Sequence, residues 1–134
     1  MKTPENAKSE KPKLVSVVVL AIRNAGRMLL LGPDESGAWG FPSEEFDGKL
    51  NGSLDDTIRR SLGKISSAVV SSIKCIGSFV AKRGNTVETV YNFSIKLAGR
   101  GVDKPHMWVL PEELEGMELD FRTAALLKAR SLVK

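Results

Sequence analysis

The spacing of apolar residues predicts most of the elements in the first third of the chain. Residues 14–22 form an almost continuous apolar run, which is typical of a strand that is buried on both faces. Residues 24–26, Asn-Ala-Gly, predict a turn, so residues 27–31 are expected to return as the second strand of a hairpin. Residues 39–42, Trp-Gly-Phe-Pro, predict a short strand that ends at the proline. Residues 43–52 are rich in acidic residues and glycine, which predicts a surface loop.

An amphipathic helix is predicted over residues 53–65. Its apolar positions recur every three or four residues and therefore share one face: Leu54, Ile58, Leu62 and Ile65. Ser53 is a suitable N-cap residue, and Asp55 and Asp56 suit the positive end of the helix dipole. Each aspartate also lies four residues before an arginine, a spacing that favours ion pairs on the exposed face.

A longer hairpin is predicted from the β-rich runs at residues 68–81 and 87–97. In the second run all odd-numbered positions except Thr89 are apolar, and most even-numbered positions are polar. One face is therefore expected to lie in the core and the other to face solvent or a cleft. Cys75 lies in the first run and is predicted to be buried. Three more elements follow: a short strand at 107–110, a helical turn at 111–114 and a final helix at 120–133.

The order of these elements predicts a mixed sheet flanked by helices, an α/β (α+β) fold with three layers. The final helix is expected to bury five positions: Phe121, Ala124, Ala125, Leu127 and Leu132. Residues 1–13 carry lysines, glutamates and prolines but almost no apolar side chains. We therefore expect a flexible basic tail over residues 1–13 and a single domain over residues 14–134.

Composition narrows the class of protein only slightly. A net charge of +4 with a pI near 9.3 permits a polyanionic partner such as RNA, but it is also ordinary for a soluble surface. Cys75 is the only cysteine, so neither an intramolecular disulfide nor a cysteine metal cluster can form. The apolar run at 14–22 is too short to cross a bilayer and lacks a signal-peptide cleavage site. A cytoplasmic protein without a membrane partner is therefore expected.

Two motifs carry a resemblance to a known family. Residues 37–42 read Gly-Ala-Trp-Gly-Phe-Pro, and residues 107–114 contain Trp108 followed by an acidic helical turn. In these motifs, and in the order of its elements over residues 14–133, the chain resembles the Nudix hydrolases, whose lead-in is G-x-W-x-F-P. The resemblance implies a Nudix-like α/β/α sandwich with a mixed β-sheet. It also implies a pyrophosphohydrolase in which the glutamates of the signature G-x5-E-x7-R-E-U-x-E-E-x-G-U, where U is aliphatic, bind Mg²⁺ or Mn²⁺.

The chain departs from that signature where the metal would bind. When Arg60 is aligned with the arginine of the family, none of the signature's four glutamate positions falls on a carboxylate. Those positions are held by Gly52, Ser61, Lys64 and Ile65. No other register restores the glutamates, because neither Glu nor Asp occurs between Asp56 and Glu88. We therefore expect a degenerate Nudix box, no metal cofactor and no ordinary pyrophosphatase activity.

Three interpretations of the function follow from this departure. The first is a nucleotide-binding or scaffolding domain, and its candidate ligand-binding residues are Arg60, Lys64, Glu44, Glu45 and Trp108. In one form of it, Lys64 and Arg60 hold a phosphate of a nucleotide or nucleoside diphosphate without a metal ion. In the other form the helix has a structural role only, and Arg59, Arg60 and Lys64 form a solvated face.

The second interpretation is an active hydrolase that binds Mg²⁺ or Mn²⁺ through relocated carboxylates. Its candidate metal ligands are Asp47, Asp55 and Asp56, together with Glu44, Glu45, Glu88 and Glu112. The third is an RNA-associated structural module, for which the lysines of residues 1–13 offer charge. For the first interpretation, a homodimer and a ribonucleoprotein are the two assemblies considered.

Overall fold

A mixed sheet with one helix on each face forms the fold, in a computed structural model that describes residues 11–46 and 54–133, with side chains through residue 129. In chain order the elements are β1 (Lys13–Asn24), β2 (Arg27–Leu31), β3 (Ser43–Phe46), α1 (Leu54–Ile65), β4 (Val70–Arg83), β5 (Thr86–Leu97), β6 (His106–Val109), a 3-10 helix (Pro111–Gly116) and α2 (Phe121–Val133). The predicted fold class, a mixed sheet flanked by helices, is confirmed.

β1 is the centre of the sheet because three other strands pair with it. It runs parallel to β5 from Lys13, opposite Thr86, to Arg23, opposite Lys96. Its other edge pairs antiparallel with β3 near the beginning of the strand and with β2 near the end. The strand order is β4-β5-β1-β2-β6, with β3 beside β1. This central position explains the continuous apolar run, since residues 17–22 are fully buried on both faces of the sheet.

Each face of the sheet carries its own apolar core. On one face, α1 packs Ile58, Leu62 and Ile65 against the sheet, as the helical periodicity predicted. On the other face, α2 packs Leu126 against Val17 and neighbouring side chains. Full burial of a leucine or isoleucine side chain contributes about 2 kcal/mol, so these contacts fix both helices on the sheet. Among the described residues, no helix is long and apolar enough to span a bilayer.

Residues 43–46 form the strand β3, so the prediction of a surface loop there is wrong. β3 pairs with residues 16–19 of β1, and this long-range pairing holds an acidic segment that would not form a strand by its own propensity. Trp39 and Gly40 make single bridges to Leu119 and Leu31. A strand that ends at the proline was expected there, but the chain continues through Pro42 into β3.

Burial was predicted wrongly on β4 and β5. Cys75 is exposed because β4 is the last strand of the sheet order, with a neighbour on one side only. Glu88 and Asn92 lie on the face of β5 that was expected to meet solvent or a cleft, yet both are buried. That face of the sheet is covered by α2 and by the second apolar core, which alternation along a single strand does not reveal.

Two further points concern the predicted buried positions of α2 and the predictions for residues that the structure does not describe. Ala124 is exposed, and within residues 121–129 the fully buried apolar residue of α2 is Leu126, which the predicted set omitted. Predictions for residues 1–10, Asp47, Gly52 and Ser53, and for the side chain of Leu132, lie outside the described residues.

Candidate functional site

A cluster of polar side chains lies where α1 faces β3, and Glu44 is at its centre. Ser61 Oγ donates a hydrogen bond to Glu44 Oε1. Arg60 Nη2 lies 3.5 Å from Glu44 Oε2, and Lys64 Nζ lies 3.7 Å from Glu44 Oε1. Positions three and four residues apart are neighbours on a helix, so Arg60 and Lys64 both reach one carboxylate. We call these four residues the Glu44 cluster.

The Glu44 cluster carries a positive charge that is partly open to solvent. Partial burial raises the pKa of Glu44, but the hydrogen bond from Ser61 and the charges of Lys64 and Arg60 outweigh it, so the pKa lies below its usual value. Two cations around one carboxylate give a net charge of +1. The side chains of Arg60 and Lys64 are 42% and 59% exposed, so each keeps a surface for an anion from solvent. Exposed pairs of this kind contribute less than about 1 kcal/mol each and are readily rearranged.

The chemistry of these side chains does not fit a divalent metal ion. Mg²⁺ prefers several oxygen ligands, chiefly carboxylates, in a near-octahedral arrangement. Of the three helix residues that the sequence alignment pairs with glutamates of the signature, Ser61 donates a hydrogen bond to Glu44, Lys64 presents an ammonium group, and Ile65 is buried in the core. Within residues 11–46 and 54–133 there is also no group of three His, Cys, Asp or Glu side chains that could hold a metal ion.

Glu44 and Glu45 do not belong to one site. Glu44 pairs with Val18 and Glu45 pairs with Val17, so their side chains point to opposite faces of the sheet. Glu44 therefore faces α1, whereas Glu45 reaches α2 and lies 3.1 Å from Arg122. Of the two, only Glu44 takes part in the Glu44 cluster.

Of the other predicted carboxylates, three are exposed and one lies outside the described residues. Asp55 Oδ2 pairs with Arg59 Nε at 2.9 Å on the exposed side of α1, which confirms the expected pair four residues apart. Asp56 is exposed on the first turn of the same helix. Glu112 is exposed at the beginning of the 3-10 helix. The position of Asp47 is not part of the described structure.

A second charged cluster, which the sequence did not predict, joins α2 to the sheet. Arg122 donates hydrogen bonds from Nε and Nη2 to the two carboxylate oxygens of Glu88, both at 3.0 Å. Its guanidinium group also contacts Glu45 and Ser43, and Arg83 lies 3.3 Å from Glu88. We call these five residues the Glu88 cluster. A charged residue within the predicted β5 strand was the one available signal, and it did not reveal the partner on α2.

The Glu88 cluster is a network of ion pairs in which the pKa of the Glu88 carboxyl group is lowered. The hydrogen bond from Arg122 lowers the pKa of Glu88 below its usual value, against the opposing effect of burial, and the charge of Arg83 adds to the lowering. The same hydrogen bond raises the pKa of Arg122. Both side chains are therefore charged at neutral pH, and the contact fixes α2 on the sheet.

Trp108 packs on the α1 face of the sheet. It lies on β6 opposite Leu29 and contributes to the core beneath α1. The guanidinium carbon of Arg100 lies 5.8 Å from the centre of the ring. Its indole Nε1 is buried without a hydrogen-bond partner among the described residues. The packing interpretation of Trp108 agrees with this position, while its role as a ligand-binding residue stays a prediction.

The Trp-Gly-Phe-Pro segment holds the beginning of α2. Asp120 N donates to Trp39 O at 2.9 Å, and Phe41 N donates to Thr123 Oγ1 at 2.8 Å. Gly40 lies against Asp120 so closely that a Cβ atom on it would be 1.9 Å from Asp120 Oδ2. The glycine is therefore required by this close approach, and Trp39 and Phe41 act as packing residues.

Comparisons with known proteins identify solved structures that have a similar architecture. No protein-family model matches the chain, and no curated protein matches it closely. Among solved structures, the NUDIX domain of Shewanella oneidensis NrtR complexed with ADP ribose matches with a TM-score of 0.67, 17% identity and full coverage of both chains. A NUDIX hydrolase from Nitrosomonas europaea matches with a TM-score of 0.64 and 13% identity, over 92% of this chain and 91% of its own.

A third neighbour is the C-terminal domain of mouse MUTYH, solved in complex with human PCNA, with a TM-score of 0.68, 12% identity and 87% coverage of each chain. At these identities the likeness establishes the fold and nothing finer. The element order, the three layers and these neighbours agree with the expectation from the lead-in motif: the chain has the Nudix fold.

Proposed function

We propose that this Nudix-fold chain is a nucleotide-binding or scaffolding domain without ordinary metal-dependent pyrophosphatase activity. The observation that carries the proposal is the composition of the Glu44 cluster. Where the signature has metal-binding glutamates, α1 presents Ser61, Lys64 and Ile65, and two cations surround the carboxylate that faces them, Glu44. A site for a divalent cation needs an excess of negative charge, whereas this cluster is positive.

The ligand that best suits this cluster is a nucleotide or nucleoside diphosphate derivative bound through a phosphate. Arg60 offers a planar donor group and Lys64 a point charge, and both are open to solvent. Their 3.5 Å and 3.7 Å separations from Glu44 are long for charge-assisted hydrogen bonds, so a phosphate can form shorter ones. The Shewanella NUDIX domain with the same fold is complexed with ADP ribose, a compound of this class.

Titration calorimetry with ADP-ribose and ADP, with and without EDTA, tests the proposal. We expect binding that EDTA does not change. Lys64→Glu should weaken it by about tenfold or more, because the loss of one charge-assisted hydrogen bond costs about 1.5–3 kcal/mol. Lys104→Glu is the matched control, since it makes the same charge change at an exposed loop residue outside the Glu44 cluster. Binding by Lys104→Glu should equal that of the unaltered chain.

The hydrolase alternative predicts a different result in the same samples. Release of phosphate or nucleoside monophosphate that requires Mg²⁺ or Mn²⁺ and stops on addition of EDTA would contradict the proposal. It would instead support an enzyme with relocated carboxylates. If no nucleotide binds and none is cleaved, only the scaffolding half of the proposal remains.

The scaffolding half has support from a neighbour of the same fold. The mouse MUTYH domain was solved in complex with a protein, human PCNA. Association with RNA, formation of a homodimer and a cytoplasmic location stay predictions. Salt-dependent RNA binding that is lost on deletion of residues 1–13 would favour the RNA-associated module.

A further inference from the structure

Three basic side chains lie close together at one end of the sheet, on the face that carries α2. Arg23 of β1 is the parallel neighbour of Lys96 of β5, and Lys96 lies opposite Ser72 of β4. Two residues farther along β4, Lys74 lies opposite Ser94. We call Arg23, Lys74 and Lys96 the basic patch.

Each residue of the basic patch directly follows an isoleucine that points to the other face of the sheet. Ile22, Ile73 and Ile95 all pack in the core beneath α1. Successive side chains of a strand point to opposite faces, so the residue after each isoleucine lies on the α2 side. The two irregularities in the pairing of β4 with β5 lie at residues 70–72 and 75–77, so Lys74 keeps this alternation. The three cations therefore share one face.

The three charges are close enough to act on one partner. Arg23 and Lys96 lie on neighbouring strands, whose backbones are about 4.8 Å apart. Lys74 and Lys96 are diagonal neighbours across the pair of β4 and β5, a relation that separates residues by about 7–8 Å. Because arginine and lysine side chains are long and flexible, the three charges can contact adjacent phosphate groups of one polymer.

The basic patch is exposed, and its charge is not neutralised by the described part of the chain. All three of its residues are exposed. No carboxylate with a described side chain lies within 4.0 Å of their charged nitrogen atoms. Like charges on neighbouring positions of a sheet repel one another, so the patch is destabilising by itself. A bound polyanion would remove that repulsion.

The side chains around the basic patch favour the phosphate backbone of a nucleic acid as the polyanion. Ser72 and Ser94 lie beside the cations, and serine hydroxyl groups, like arginine and lysine, commonly donate hydrogen bonds to backbone phosphates. The residue that pairs with Arg23 on its other side is Met28. None of these three neighbours offers an aromatic ring on which a base could stack. Binding should therefore depend on the phosphates and not on the base sequence.

We propose that the basic patch binds the phosphate backbone of a nucleic-acid strand without regard to its sequence. The three cations contact neighbouring phosphates along the strand, and Ser72 and Ser94 add hydrogen bonds to the phosphate oxygens. Glu44 lies on β3 beside Val18, whose side chain packs beneath α1. The Glu44 cluster is therefore on the opposite face of the sheet, and the two sites act independently.

Fluorescence anisotropy of a labelled oligouridylate, titrated with the full chain over a range of salt concentrations, tests the proposal. The patch variant carries Arg23→Gln, Lys74→Gln and Lys96→Gln, and it should bind at least tenfold more weakly at low salt. Each phosphate contact to a single strand contributes about 0.7 to the slope of log affinity against log salt concentration, so that slope should become shallower by about 2 in the patch variant.

The matched control removes the same number of charges at exposed residues outside the basic patch: Lys11→Gln, Lys82→Gln and Lys104→Gln. The control should bind within about twofold of the unaltered chain, because salt screens charges that are distant from the bound strand. Lysine acetylation followed by mass spectrometry locates the contact. Bound oligouridylate should slow the acetylation of Lys74 and Lys96 and leave that of Lys82 and Lys104 unchanged.

Thermal melting by circular dichroism separates lost binding from lost folding. The Tm of the patch variant should be no lower than that of the unaltered chain, since its substitutions remove repulsion between like charges. ADP-ribose should not displace the oligouridylate, so this proposal and nucleotide binding at the Glu44 cluster can fail separately.

The proposal is overturned if the oligouridylate does not bind at low salt, or if the patch variant binds it as well as the control does. Binding that is abolished by deletion of residues 1–13 alone would also overturn it, because the contact would then lie in that segment. Binding to vesicles that contain phosphatidylserine, without binding to the oligouridylate, would identify an anionic membrane as the partner instead.

Discussion

At the residue scale, Glu88 and Glu45 contact the same arginine but differ in burial, and we expect burial to determine how much each carboxylate contributes to stability. Both accept hydrogen bonds from the guanidinium group of Arg122, yet Glu88 is 1% exposed and Glu45 is 60% exposed. Glu88 uses both of its oxygens on Arg122, while Glu45 uses one in contact with water. Loss of Glu88 would leave a largely buried guanidinium group with only peripheral partners.

We therefore expect Glu88→Ala to lower the free energy of unfolding by about 3 kcal/mol, the low end of the range for breaking a buried ion pair. Glu45→Ala removes an exposed contact to the same arginine and should cost less than about 1 kcal/mol. Urea unfolding at neutral pH measures both values. Equal losses in the two variants would show that the burial of Glu88 does not control the strength of the contact.

Sequence patterns singled out the residues of the Glu44 cluster, although not their contacts with one another, whereas Arg122 of the Glu88 cluster was not singled out. Ser61 and Lys64 could be singled out because a signature with fixed spacing on one helix marks their positions. The partner of Glu88 could not, because Arg122 is 34 residues away and reaches it only through the packing of α2 on the sheet. Burial of Cys75 was likewise mispredicted, since one strand's pattern does not show whether that strand is terminal.

At the scale of elements, two glycines have opposite roles. Gly63 is exposed in the last turn of α1, where a Cβ atom would meet no other atom within 4 Å. Gly40 faces Asp120, the residue before α2, whose Oδ1 accepts a hydrogen bond from Thr123 N at 2.9 Å. Asp120 is thus the N-cap of α2, and Gly40 leaves the space that its carboxylate occupies.

Gly63→Ala should stabilise the protein. Alanine has the higher helix propensity and meets no steric obstacle here, so the free energy of unfolding should rise by about 0.5–1 kcal/mol. Differential scanning calorimetry would record this as a higher Tm. A lower Tm would mean that the last turn of α1 is not a regular helix.

Gly40→Ala should destabilise the protein by displacing the cap of α2. The new methyl group would overlap the Asp120 carboxylate, and loss of a capping carboxylate costs about 1–2 kcal/mol. Chemical unfolding measures the loss, and Asp120→Ala provides the comparison. In the double variant the two effects should not add, because both remove the same hydrogen bond. Full additivity would contradict this assignment.

Elements that are marked by a local run or periodicity of apolar residues were predicted well. The element that is held by pairing with a distant strand was not. Both hairpins and α1 follow from runs and periodicities within a few residues of one another. β3 carries Glu44 and Glu45 and has no local signal for a strand; its conformation comes from its antiparallel partner, residues 16–19 of β1. The long-range partner overrode local propensity at this point.

At the scale of the whole molecule, both charged clusters make stability depend on pH. The pKa values of Glu44 and Glu88 lie below the usual glutamate value in the folded chain. In the unfolded chain a glutamate has a pKa of about 4.3. The unfolded chain therefore binds protons more readily as the pH falls, and acid shifts the equilibrium toward it.

The stability that these two carboxylates contribute should be present in full above about pH 4.3 and lost as the pH falls through their lower folded pKa values. Urea midpoints measured from pH 7 down to pH 3 should decline in the acid range. Glu88→Gln should show a smaller decline, because the neutral amide cannot take up the proton. An unchanged acid slope in Glu88→Gln would rule out this source of the pH dependence.

The parallel pairing of β1 with β5 has a consequence for the time course of folding. β1 contains a long apolar run and is synthesised before its parallel partner β5, which follows only after β2, β3, α1 and β4. The early hairpin with β2 covers only the last part of one edge. Non-local strand pairing is slow, and apolar segments are prone to aggregate as long as they remain exposed and unpaired. During synthesis, therefore, the strand that later forms the centre of the sheet keeps one edge unpaired until β5 is made.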